Sequence, residues 1–144
     1  MKVILAAAAL SVSIDRFTNR MSLFNVVEQI NSPSFPLWMP EISFVVAILR
    51  GEGDPQEFTA KTELRLGDKV LVQSNAPISF KNGPIARNIL NLRGIPIPAP
   101  GELTYRFPLD GEETATILIP VLATPEAATH ATSTAAPTAP TSSP

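Results

Sequence analysis

The sequence predicts an all-β protein: a single antiparallel β-sandwich, immunoglobulin-like or C2-like, of about seven to nine strands, with a disordered C-terminal tail. Three observations predict it. Apolar and polar residues alternate at period two in several stretches, and no stretch repeats convincingly at helical spacing. The 144 residues include 15 prolines, which break helices and favour short strands joined by turns. The turn pairs Gly67-Asp68, Asn82-Gly83 and Asp110-Gly111 punctuate the alternating stretches. A closed barrel is the alternative architecture.

The first element is Lys2–Ser13. One lysine followed by Val3-Ile4-Leu5 and a run of alanines reads either as a secretory leader or as a first strand buried on both faces. The strand is the expectation, because almost nothing precedes the apolar run and the next segment continues it. Ser22–Ile30 is the second candidate. Ile42–Leu49 is apolar on both faces, with Ile42, Phe44, Val46 and Ile48 on one and Val45, Ala47 and Leu49 on the other. That pattern predicts a central strand.

Alternation is cleanest from Glu57 to Leu66, where Phe58, Ala60, Thr62, Leu64 and Leu66 share a face opposite Glu57, Thr59, Lys61, Glu63 and Arg65. Gly67-Asp68 then joins this strand to Lys69–Gln73 as a two-residue hairpin of type II′. Ala76–Phe80 and Ile85–Leu92 follow. Leu103, Tyr105, Phe107 and Leu109 alternate with polar partners up to the Asp110-Gly111 turn, and Glu112–Leu122 runs back. Pro108 and Pro120 lack a ladder donor, which predicts edge positions. The domain is therefore expected over residues 1–123. Residues 124–144, rich in Ala, Thr, Ser and Pro, have too little apolar bulk to offset the entropy of ordering.

Composition excludes several classes of chemistry. There is no cysteine, hence no disulfide, thiolate metal site or thiol nucleophile. The one histidine, His130, falls in the tail, so the domain holds no Ser-His-Asp triad and no histidine-anchored metal site. The net charge is −2 and the basic residues are scattered, so no stripe follows a phosphate backbone. No segment reads as a membrane span or a basic amphipathic helix. These points predict a cytoplasmic protein (secreted instead, if the apolar start is a leader) with no cofactor and no enzymatic activity.

Two stretches carry a resemblance. Asp15-Arg16-Phe17-Thr18-Asn19-Arg20-Met21-Ser22-Leu23-Phe24-Asn25-Val26-Val27-Glu28 is one, and Ile95-Pro96-Ile97-Pro98-Ala99-Pro100-Gly101-Glu102-Leu103-Thr104-Tyr105-Arg106-Phe107 is the other. Together they resemble an uncharacterised family of small bacterial all-β proteins, a domain of unknown function, over roughly Met1 to Leu122. The resemblance implies that the apolar start is the first strand of the domain. It implies no activity and transfers no site residue.

The most unusual segment is Ser32-Pro33-Ser34-Phe35-Pro36-Leu37-Trp38-Met39-Pro40. Three prolines hold it extended. It is expected to cross between the sheets, with Trp38 capping the core and Leu37 and Met39 exposed. Alternatively Phe35, Leu37, Trp38 and Met39 form a contact patch for a protein partner or a second copy. Two acidic loops, Glu52/Asp54/Glu57 and Asp110/Glu112/Glu113, invite a calcium reading, but neither has calcium-loop spacing, and solvated turns are the expectation. A carbohydrate site would want several exposed aromatics on one flat face. Asn88 and Asn91, beside Arg87 and Arg93, line either a polar groove or an ordinary wet strand face. The expected function is that of a non-enzymatic protein-interaction or structural module, with a calcium- or carbohydrate-binding module as the alternative.

Overall fold

A computed structural model describes residues 1–109 and 114–125. Among them are nine strands and no helix: β1 (Lys2–Ile14), β2 (Met21–Val26), β3 (Ile30–Ser32), β4 (Leu37–Leu49), β5 (Glu57–Leu66), β6 (Lys69–Ser79), β7 (Ile85–Ile97), β8 (Gly101–Pro108) and β9 (Thr114–Ala123). They form two sheets in a sandwich-like arrangement, ordered β2-β1-β4-β7 and β3-β9-β8-β5-β6. Every pairing is antiparallel except that of β3, which runs parallel to β9 over three residues. The turn at Asp110-Gly111 and the tail beyond Pro125 lie outside the described residues.

The alternating stretches behave as their patterns predict. In β5, Ala60, Thr62, Leu64 and Leu66 are buried, while Glu57, Thr59 and Lys61 are exposed. Leu66 pairs with Lys69 across the two-residue loop, and Gly67 has the positive φ, 57°, that the first position of a type II′ turn demands. β4 is central, between β1 and β7. The predicted strands at Lys69 and Ala76 are one strand, β6, with Leu71 as an extra residue where the register to β5 shifts. The predicted Ser22–Ile30 strand is two pieces in different sheets, separated just after Asn25, whose φ is +55°. The edge expected for Pro108 and Pro120 is not found as such. β8 is internal and β3 covers the end of β9, but Pro108 lies beyond the stretch paired with β5, and Pro120 lies one residue before the stretch paired with β3.

The core lies between the sheets. Ile42, Phe44, Val46 and Ile48 of β4 face Leu64, Leu103, Tyr105, Phe107, Ile119 and Val121. Each such side chain contributes about 1.5–3 kcal/mol by leaving water. The rings of Phe44 and Tyr105 stack with centroids 4.9 Å apart. The Tyr105 hydroxyl accepts from Asn88 Nδ2 at 3.2 Å, and burial pushes its pKa up.

The opposite face of β4 is also dry. Ser43, Val45 and Ala47 point away from the core, yet Val45 is 0% exposed. A two-layer sandwich would leave this face wet. Its cover is the chain's own β1–β2 hairpin. β1 pairs with β4 up to Ala9 and from there with β2. The hairpin loop reaches β7, where the Arg87 guanidinium donates to the Asn19 carbonyl at 2.9 Å and to Asn19 Oδ1 at 3.3 Å. Arg87 pairs with Ala47 and shares its outer face, on the far side of β4 from β1. The hairpin therefore crosses β4 on that face.

Candidate docking surface

The Pro33–Pro40 segment is only partly a connection. Its second half opens β4, pairing Leu37 with Ile97, Trp38 with Pro96 and Met39 with Ile95. Strand alternation then decides exposure. Leu37 and Met39 turn inward and pack against the core, as does Phe35, while Trp38 points out and is 62% exposed. This corrects the expectation on both counts: Trp38 is not the core cap, and Leu37 and Met39 are not the exposed contacts. The physical reason is a phase change. Odd positions face inward at Leu37 and Met39, whereas even positions do so from Ile42 to Ile48. The change falls at Pro40 and Glu41, alongside Gly94 of β7, which has φ +64°. The outward surface at this end is the indole of Trp38 beside the ring of Pro96, which is exposed too. Of the four residues singled out in the sequence, Trp38 alone is a large exposed side chain.

A second exposed aromatic sits on the β1–β2 loop. Asp15 caps this loop: its Oδ1 accepts from the backbone N–H of Phe17 at 2.8 Å and of Thr18 at 3.0 Å. The N–H of Thr18, then that of Phe17, hold the Asp15 carboxyl below its ordinary pKa. Asn19 takes the left-handed conformation, φ 58°, and its N–H returns to the Asp15 carbonyl at 2.9 Å. Phe17, at the tip, is 93% exposed. The sequence reading did not single it out. Its signal is an aromatic placed among Asp, Arg, Thr and Asn, where a turn has no core to offer it.

The polar candidates do not converge. Asp54 accepts from the Gly51 N–H at 2.8 Å and pairs with the terminal ammonium of Met1 at 2.6 Å, which together lower its pKa. Glu57 pairs with Lys81 at 2.8 Å, lowering the pKa of the acid and raising that of the lysine. The second acidic loop, Asp110/Glu112/Glu113, lies outside the described residues. Among the described residues no group of three or more acids or histidines is placed to hold a metal ion. Asn88 and Asn91 do not share a groove: Asn88 reaches inward to Tyr105, while Asn91 accepts from the Ser43 hydroxyl on the other face. Glu63, with Arg65 at 2.6 Å and Arg106 at 3.8 Å, forms a small ionic cluster on the wet face of β5 and β8. These contacts pair side chains within the fold; Glu63 and Arg106, with Lys61, also line a shallow hollow of about 250 Å³ on that face.

Among the described residues no helix is long and apolar enough to cross a membrane. No curated protein and no solved structure matches the chain. A family model does match, over residues 5–122, from within β1 to within β9; the chain belongs to this family, described as a family of unknown function, DUF6941.

Proposed function

We propose that this domain is a protein-interaction module, and that Trp38 is the anchor of its contact surface. The observation that carries the reading is the outward Trp38 beside Pro96, on strands whose other side chains build the core. Two paired strands hold the backbone at Trp38 in place, so covering the indole orders one side chain and no loop. Tryptophan is the residue type most enriched among binding hot spots. The carbohydrate alternative receives no added support, because one indole beside a proline is not a row of aromatics. The calcium alternative has two of its first loop's three acids, Asp54 and Glu57, paired within the fold.

The test is site-specific photo-crosslinking in native cells, with the photoreactive residue at Trp38 and, as a control, at Lys61 on the wet face of β5. The expected result is a discrete protein adduct at Trp38 that is absent at Lys61. Trp38→Ala should then lose that same partner in co-purification. Equal adducts from both positions, or none from Trp38, would refute the reading.

A further inference from the structure

The chain leaves the domain close to the exposed indole. β9 ends at Ala123, and the Thr124 N–H donates to the Ser32 carbonyl at 3.0 Å. Trp38 follows Ser32 by six residues, so it lies at most about 22 Å from that anchor. Residues 126–144 lie outside the described residues. Their sequence contains Pro137-Thr138-Ala139-Pro140, and no charged side chain occurs from Ala131 onward. A polyproline II helix has three residues per turn, which would set Pro137 and Pro140 on one face, about 9 Å apart. The surface round Trp38 suits such a segment. Leu37 and Met39 turn inward, as do Ile95 and Ile97, while Pro36, Pro40, Pro96 and Pro98 are exposed with the indole. These rings offer apolar faces to other proline rings, and the indole N–H offers one donor to a carbonyl. Among the described residues nothing accepts from that N–H. Proline-rich segments dock on aromatic surfaces in this way, at small entropic cost because their conformation is preformed.

We propose that the chain's own Pro137–Pro140 segment docks on Trp38 and covers it. The inference rests on the reading of Trp38 as a contact surface, and it makes that surface self-limiting: a protein partner must displace the tail. Chain length decides that the tail acts on its own domain. Twelve residues lead from Pro125 to Pro137. Extended, a segment of that length spans about 40 Å, enough to reach Trp38. A flexible linker of that length has an r.m.s. end-to-end distance of about 17–21 Å, close to the limit set by the Ser32 anchor. A tether matched to its span gives an effective concentration of about a millimolar, so at micromolar protein a chain's own tail outcompetes a neighbour's by about 1,000-fold. The charges are compatible. The segment is neutral, and Glu41 and Arg93, the ionic groups of β4 and β7 next to this surface, pair with each other at 3.8 Å.

Trp38 is the one tryptophan of the chain, so the intrinsic fluorescence of the full-length protein reports it alone. Acrylamide quenching of that fluorescence tests the docking. Quenching should rise about twofold or more from the wild type to Pro137→Ala/Pro140→Ala, the change expected where the tail fills at least half of the sites. The emission maximum should move to the red in the same variant. A synthetic peptide of residues 131–144, added to the variant at about millimolar concentration, should restore protection, and the same peptide with both prolines replaced by alanine should not. Equal quenching of wild type and variant overturns the proposal. If the photo-crosslinked partner at Trp38 persists in that case, the reading of Trp38 as a partner surface stands without the tail. Protection that depends on the tail, with no partner adduct at Trp38, supports the docking and removes the partner reading alone. Protection that grows with protein concentration overturns the proposal, because it assigns the tail to a second copy.

Discussion

Truncating Trp38 separates an exposed anchor from a core residue, and the structure sets the magnitude. A fully buried tryptophan cut to alanine costs about 3–5 kcal/mol. Trp38 is 62% exposed, so a little over a third of that loss applies, about 1–2 kcal/mol. The inward neighbours behave differently. Leu37 and Met39 are half-buried and packed on the core. Each →Ala change removes about half of a buried side chain's 2–5 kcal/mol, so the Leu37→Ala/Met39→Ala double variant costs about 2–5 kcal/mol. Urea melts of the three proteins at one temperature give the comparison, with an unchanged slope confirming that stability alone has moved. In melting temperature, each kcal/mol is about 3–6 °C for a domain of this size. A Trp38→Ala variant that loses 3 kcal/mol or more, and more than the double variant, would show that the indole is a core group and that the phase change at Pro40 has been misjudged.

Two further outcomes follow from the same contacts. The Asp15 carboxyl has a lowered pKa because it accepts from Thr18 and Phe17. Its hold on the loop is therefore complete above the ordinary carboxylate value and is lost as pH falls through the depressed folded value. The amide resonances of Phe17 and Thr18 should titrate below an ordinary aspartate; a midpoint at the usual value would remove the capping role. Calcium should leave the melting temperature where it is, since Asp54 and Glu57 are engaged by ammonium groups and a ligand bound to the native state alone would raise it. A calcium-dependent rise that disappears in Asp54→Asn would contradict this.

Much of the fold was legible because its signals are local. The Glu57–Leu66 alternation reports which side of one strand is dry, and the strand obeys it. The double apolar face of Ile42–Leu49 correctly marked a central strand. What covers its second face was not legible, since that depends on where β1 leaves β4 and on an Arg87–Asn19 contact between residues 68 apart in the chain. Proline density misled the reading of Phe35–Pro40. Prolines at 36 and 40 suggest a loop, but only Pro36 lies in one; Pro40 sits within β4, as a proline can wherever its missing donor is not needed by the neighbour. One residue of phase then decides between Trp38 inward and Trp38 outward, and nothing in the composition of the segment carries that phase.

The same reasoning bears on why a chain with so little conventional site chemistry leaves aromatics in water. The chain has no cysteine, and its one histidine lies beyond the residues matched by the family model, so the proposed contact surface is argued from shape and apolar area. Large apolar side chains left in water invite unwanted association. Here Trp38 and Phe17 are presented by different elements. Trp38 sits on a ladder whose neighbouring positions turn inward, and Phe17 on a loop braced by Asp15 and Arg87. Arg16 and Arg20, both exposed, flank Phe17 on the same loop. Small contacts of this kind bind weakly one at a time.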